Sequence, residues 1–388
     1  MEEVPEPEDE VLFPDIYVSA KRSAERILDK FLEAWDLVKP AYEEIESKLS
    51  SAKGYLKERP SEYKISAVDS TFTSALALRG YKANFILLAA VFYPDPRRPI
   101  FSFFPIRNTF EDEEYTPSFE VKYREVLMMK QVIKQHSEHF DVIVRDGDFP
   151  PTYTIFPRSR RKLAEASHEV MKMVQQLGKG VAGLVKRIST SLIAYRFMDD
   201  FQGFLDSLEP GMRRFALDLL SDSMVADVLL SPGEYLLLDK YGDEFKGSSF
   251  IAGYFSSLRV KDREKHREGI EKRLEEYPLF KEVQVIYYKP RTHNPGLVKL
   301  TGFNLDLVDF ASFSALSTAG GQFPDYINLA DMACLEHARH MKPDLVMFNA
   351  LNTALRDKKY AGKLKYKGKS LRILGIQNVQ KYWLYFPK

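Results

Sequence analysis

Two apolar runs in this chain each end in an aspartate followed by small or turn-forming residues. They are Ile65-Ser66-Ala67-Val68-Asp69-Ser70-Thr71 and, 77 residues later, Val142-Ile143-Val144-Arg145-Asp146-Gly147-Asp148. A buried strand that delivers a carboxylate to its C-terminal tip is a common way to build a site for a hard divalent cation, which takes oxygen ligands held at fixed separation. One such strand is weak evidence, because aspartate also ends strands as a turn residue. Two of them with a helix between make a metal-site hypothesis.

Two cations about 4 Å apart need more than two carboxylates. The periodic segment 118–138 carries Glu120 and Glu125 near its start, and Glu125 borders the apolar face; the ordinary reading is first-turn glutamates favoured by the helix dipole. A later helix carries Asp331 within Asn328-Leu329-Ala330-Asp331-Met332-Ala333, on a face expected to be buried, where it calls for a metal or a basic partner. His337 and His340 further along that helix read as surface residues. Asp148 either shares a face with Asp146 or caps the turn at Gly147. Lys186, ending the run Gly180–Val185, would place a cation at the same sheet edge, where it could hold a phosphate and neutralise developing charge.

Other chemistries find no support. The chain has no Gly-x-Ser-x-Gly elbow, no Walker-type lysine loop and no Gly-x-Gly-x-x-Gly, and Cys334 sits mid-helix as a packing residue. Basic and aromatic residues do mix at Phe156-Pro157-Arg158-Ser159-Arg160-Arg161-Lys162 and at Tyr287-Tyr288-Lys289-Pro290-Arg291-Thr292-His293. Stacking rings beside phosphate-binding cations are the recipe for single-strand nucleic-acid binding, so Arg158, Arg160, Arg161, Tyr288, Lys289 and Arg291 are candidate nucleic-acid contacts, against the alternative of solvated loops.

The elements that must position these residues follow from periodicity. Residues 17–56 read as a long helix or helical pair, with Ile27, Leu28, Phe31, Leu32, Trp35 and Leu37 at 3–4 spacing. Strands are predicted at 64–72, 83–93 and 99–104, a helix at 118–138, a strand at 141–146, a helix at 159–177 and a strand at 180–187. Three strands followed by βα alternation is the order of a ribonuclease H-like α/β core with a mixed sheet, in which the first strand lies beside the fourth and Asp69 beside Asp146. Residues 190–280 read as a helical insertion with a possible strand at 234–239, strands return at 282–289 and 297–301, a helix follows at 325–341, and a tail strand is predicted at 371–376. The expected organisation is an N-terminal helical extension over 1–60 and an α/β domain over 61–388, whose ribonuclease H-like core spans about 61–190 and 280–345.

Composition narrows the class. A net charge of +1 over 388 residues provides no global basic field, so nucleic-acid contact must come from local clusters. The single cysteine excludes an intramolecular disulfide and a multi-cysteine zinc site and fits a reducing cytoplasm. The acidic, proline-containing first ten residues are unlike a signal peptide, and no apolar run nears the ~18 residues of a membrane span. A soluble cytoplasmic protein with no membrane partner is expected. An aromatic content of 13% leaves surface suited to a homodimer, and the apolar helix face at Ile27, Phe31 and Trp35 either contributes to such an interface or packs on its own domain.

Together the chain resembles the NurA nuclease family. The matching pieces are Val68-Asp69-Ser70, Val144-Arg145-Asp146-Gly147-Asp148, Gly183-Leu184-Val185-Lys186-Arg187, Tyr288-Lys289 with Gly296-Leu297-Val298-Lys299-Leu300, and Phe323-Pro324-Asp325-Tyr326-Ile327-Asn328-Leu329-Ala330-Asp331, in family order over residues 64–340. The resemblance implies a ribonuclease H-like fold and Mn²⁺-dependent (or Mg²⁺-dependent) cleavage of DNA, as a single-strand endonuclease, a 5′–3′ exonuclease or both. It also implies a homodimer enclosing a DNA channel, and partnership with a hexameric HerA-type translocase in DNA end processing. By motif, Asp69 and Asp146 match the metal aspartates and Glu125 is the choice for the helix glutamate. Asp331 stands where many members have His, leaving the fourth ligand open between the two, and Ser70 replaces the usual Gly. Two other readings remain: a catalytically weak dimeric adaptor of the translocase, and an actin-like or sugar-kinase-like ATPase. The second needs Gly-rich phosphate loops, for which Gly320-Gly321 is the only late candidate.

Overall fold

Strands β2 (Ile65–Leu78), β3 (Tyr81–Tyr93) and β4 (Ile100–Ile106) form an antiparallel meander in the computed structural model. The structure describes residues 14–78, 81–96, 98–106, 117–151, 161–188, 190–238, 240, 268–269, 271–291, 296–318, 323–341 and short pieces at 353, 365–366 and 369–370. After the meander the chain alternates: α2 (Pro117–His136), β5 (Val142–Asp146), α3 (Arg161–Gln176) and β6 (Gly180–Val185). β5 pairs parallel with β2, and β6 pairs parallel with β5. The order β4-β3-β2-β5-β6, with the first strand beside the fourth, is the ribonuclease H-like α/β arrangement.

The sheet continues beyond β6. β9 (Val298–Phe303), β8 (Gln284–Tyr288), β7 (Glu234–Leu238) and β1 (Lys53–Tyr55) add antiparallel strands, giving nine among the described residues. β2 and β3 run further than the apolar pattern alone predicts, to Leu78 and Tyr81. The expected tail strand at 371–376 lies outside the described residues; a two-stranded hairpin forms at 365–366 and 369–370.

Strand alternation assigns the two faces of the sheet. Ile65, Ala67, Val142, Val144, Ala182, Leu184, Ile286 and Leu300 share a core with α8 (Leu307–Leu316) and α9 (Asp325–Met341), whose Phe310, Tyr326 and Ile327 are fully buried. The intervening residues face α2 and α3. No periodic stripe announces α8, because Leu307-Val308-Asp309-Phe310-Ala311-Ser312-Phe313 is apolar around most of its circumference, as a buried helix is. Its start is marked by Asp306, whose carboxylate accepts from Asp309 N–H.

The described residues divide into two compact units, of which this sheet and its helices are one. The other contains α1 (Pro14–Lys48), α4 (Leu192–Phe197), α5 (Phe201–Ser207), α6 (Pro210–Leu219) and α7 (Asp222–Leu229). In α1 the second half buries Ala34, Val38, Ala41, Tyr42 and Ile45 at helical spacing and packs on α6 and α4. The first half leaves Ile27, Leu28 and Leu32 more than half exposed. Buried Asp222 ties the unit together by accepting from Ile193 N–H at 2.8 Å and from the Thr190 hydroxyl. Among the described residues no helix is long and apolar enough to cross a membrane.

Candidate metal centre

The last ladder pair between β2 and β5 is Val68 with Arg145, so Asp69 and Asp146 are neighbours at the C-terminal edge of two adjacent parallel strands. Both lie on the α9 side by alternation. Lys186, just past β6, donates to Asp146 at 2.8 Å and to Asp331 of α9 at 3.1 Å. One ammonium thus bridges an aspartate at a strand tip to an aspartate on a helix, with Asp69 on the neighbouring strand beside Asp146. Asp331 is half-exposed rather than buried as expected, its side chain reaching from the α9 surface to Lys186.

Asp69 is buried, with its Oδ1 accepting from Ser70 N–H at 2.7 Å and its backbone carbonyl accepting from the Cys334 thiol. Burial and the charge of Asp146 push its carboxyl up to about 8, against the Ser70 N–H, with Glu125 and Asp331 adding to the rise. Burial pushes the Cys334 thiol well up too, so this cysteine is a packing residue. Lys186 is raised despite the opposing effect of burial, because Asp146 and Asp331 hold its ammonium.

Glu125 is fixed from the other side of the sheet. Its Oε2 accepts from Arg145 Nε at 2.7 Å and pairs with the second guanidinium nitrogen, while Oε1 accepts from the Ser70 hydroxyl. Ser70 and Arg145 alternate with Asp69 and Asp146, so each site strand presents one residue to the α9 face and the next to Glu125. Glu120 pairs with Arg124 at 2.6 Å on α2 itself.

Beyond Asp146 the chain turns. Gly147 adopts φ +108°, and a Cβ there would meet the Arg145 guanidinium at 2.5 Å. The turn crosses so close above Gly183 that a Cβ on Gly183 would meet Phe149 N at 2.2 Å. Asp148 is therefore not a continuation of the strand; its carboxylate pairs with Lys299, itself buried, at 3.0 Å. Arg145, Ser70 and Lys299 received no role from the sequence. A charged residue inside the apolar run Val142-Ile143-Val144-Arg145 was the available signal for the first, since a buried guanidinium must be paired.

The proposed nucleic-acid contacts separate. Arg158 and Arg160, like Gly320-Gly321, lie outside the described residues. Arg161 is exposed at the start of α3 and pairs with Glu165 at 3.0 Å. Tyr288 is fully buried in β8, which removes it from base stacking: the alternation of an interior strand, not a surface loop, sets its place. Lys289 is also buried, and Arg291 lies 3.6 Å from Glu58 and donates to Leu56 O at 3.3 Å. His337 stacks on Phe101 with centroids 3.9 Å apart, and His340 is exposed.

The donor set fits a hard divalent cation in its chemistry: carboxylate oxygens throughout, and a buried carboxyl raised by like charge, which a cation would relieve. These four carboxylates do not gather as three donors within 4.8 Å of one another among the described residues; Lys186 stands between Asp146 and Asp331.

The fold and this edge define a ribonuclease H-like α/β protein with an acidic strand-tip site. In structure the chain is similar to the NurA nuclease from Sulfolobus solfataricus (11% identity, 86% of this chain and 98% of that one, TM-score 0.49). It is also similar to NurA bound to dAMP and manganese (14%, 89% and 99%, 0.44) and to the catalytic domain of human Endonuclease V (9%, 78% and 96%, 0.36). No protein-family model matches the chain, and no curated protein matches it.

Proposed function

We propose that this chain is a divalent-metal-dependent deoxyribonuclease that hydrolyses phosphodiester bonds at the β2–β5 edge. The observation that carries the reading is the placement of Asp69 and Asp146 side by side on adjacent parallel strands, with Lys186 linking Asp146 to Asp331 of α9. Asp69 and Asp146 would hold the cation and Asp331 would supply the fourth ligand; Glu125, held by Arg145 and Ser70 on the other face of the sheet, would join the set by turning from those partners to the strand ends. A bound Mn²⁺ or Mg²⁺ supplies Lewis-acid polarisation of a phosphoryl oxygen and an acidified water. Lys186 would place its ammonium against the phosphate and offset charge that develops in the transition state. Arg145 holds Glu125 in one rotamer, and the Gly147 turn sets the direction in which Asp146 points.

The family resemblance supports the finer reading: Mn²⁺ as the working ion, single-strand endonuclease or 5′–3′ exonuclease activity, a homodimer, and a HerA-type translocase as partner in DNA end processing. The exposed Ile27, Leu28 and Leu32 on α1 support an interface there. Digestion of end-labelled single- and double-stranded DNA tests the proposal, with Mn²⁺, Ca²⁺ or EDTA and with or without the translocase. Cleavage in Mn²⁺ that disappears in EDTA and in Asp69→Asn or Asp146→Asn is the expected result. Cleavage undiminished in EDTA would overturn it.

A further inference from the structure

A second ligand cluster lies at the opposite end of α2. His136 closes that helix, and the 3₁₀ turn Ser137–His139 brings Glu138 and His139 round beside it. One donor atom from each of the three lies within 4.8 Å of the other two, the one group of this kind among the described residues. His139 Nε2 is 3.1 Å from Glu138 Oε1. Phe92 of β3 packs edge-on against both imidazoles, at centroid distances of 5.8 Å to His136 and 5.9 Å to His139.

The ordinary reading of histidines here is that imidazoles complement the negative end of the helix dipole. Glu138, exposed in the turn, meets His139 and adds a carboxylate oxygen to the two ring nitrogens. A cation held among the three would use all of these donors at once. The donors also differ in kind from those around Asp69: two imidazole nitrogens with one carboxylate suit a borderline ion such as Zn²⁺, whereas all-oxygen sets suit Mg²⁺, Ca²⁺ and Mn²⁺. Three protein donors leave a coordination position free in a four-coordinate sphere. The cluster lines a groove of about 930 Å³, together with Lys64, Asp95 and Arg98, which gives an ion a path in.

We propose that His136, Glu138 and His139 form a binding site for a Zn²⁺-class transition-metal ion, separate from the carboxylate centre. Eleven residues of α2 divide His136 from Glu125, roughly 16 Å at 1.5 Å per residue. A metal there would pin the end of α2 to the turn that feeds β5, and it needs no nuclease activity to exist.

Zn²⁺ titrated calorimetrically into the full-length Asp69→Asn/Asp146→Asn variant should bind with one equivalent per chain. Adding His139→Ala, a change at an exposed side chain, should weaken binding at least tenfold while leaving the metal-free melting temperature in place. Zinc-edge X-ray absorption should show two nitrogen scatterers at about 2.0–2.1 Å. Unchanged affinity after His139→Ala, or a purely oxygen shell, would overturn the site. Should the double carboxylate background fail to fold, the same comparison of His139→Ala with the parent chain, made with the carboxylate centre saturated by Mn²⁺, gives the same decision.

Discussion

Arg145 and Glu125 form an ion pair in which both side chains are only 4% exposed, and the arginine sits one residue before Asp146 on the same strand. β5 therefore turns one face to the acidic edge with Asp146 and the other to the glutamate of α2 with Arg145. A single strand end ties a proposed ligand from a strand to a proposed ligand from a helix.

Breaking this pair from one side leaves a charge buried without its partner, at a cost of about 3–5 kcal/mol. Arg145→Met should show that loss in urea unfolding, and Arg145→Met with Glu125→Gln should recover much of it, because no ionised group then stays buried. A double variant no more stable than the single one would count against Arg145 acting mainly as the counter-ion of Glu125.

The raised carboxyl of Asp69 gives a signed pH dependence in the metal-free protein. Its folded value of about 8 lies above the ordinary 3.8, so the stability it allows is complete below about pH 4 and declines as pH rises through about 8. Asp69→Asn has no such slope. In EDTA, the stability of Asp69→Asn relative to the parent chain should grow from pH 4 to pH 8 and then level off. A difference that stays flat over that range would show that Asp69 is not held near its neighbours' charge.

Much of this was legible from residue order. The meander, the βα alternation and the two aspartate-tipped strands are local patterns whose pairing follows from short-connection rules, and β2 lies beside β5 as expected. What was not legible depends on packing direction. Tyr288 and Lys289 look like a nucleic-acid patch in sequence, yet Tyr288 inside β8 and Lys289 just past its end are both buried. α8 shows no stripe because apolar neighbours surround most of it. Asp331 looked buried among Ala330 and Ala333, but its place on α9 leaves it half-exposed and within reach of Lys186.

Lys186 contacts Asp146 and Asp331 together, so it competes for the oxygens that a cation would use. Lys186→Met should leave Mn²⁺ affinity equal or tighter while turnover at saturating DNA and metal falls by about 10²-fold, the loss seen when one preorganised charge donor is removed from a transition state. Calorimetric Mn²⁺ binding and single-turnover cleavage separate the two effects. A loss confined to DNA affinity would place Lys186 among substrate-positioning contacts instead.

Asp309, at the start of α8, is remote from the carboxylate edge in chemistry and reports on the fold alone. Its carboxylate accepts from Lys57 Nζ at 2.7 Å, Tyr63 Oη at 2.9 Å and Ser61 N–H at 3.1 Å, joining the segment before β2 to the helix. Burial pushes this carboxyl up, but the three donors outweigh it and bring it down to about 2. A depressed folded value means that the stabilisation is present above pH 4 and lost as pH falls through about 2. The shift amounts to on the order of 2 kcal/mol near neutral pH. Asp309→Asn should lower stability by that amount at pH 7, with the difference shrinking steadily between pH 4 and pH 2. Urea unfolding at several pH values checks it, and a penalty that does not change with pH would mean the loss comes from packing rather than from the charge.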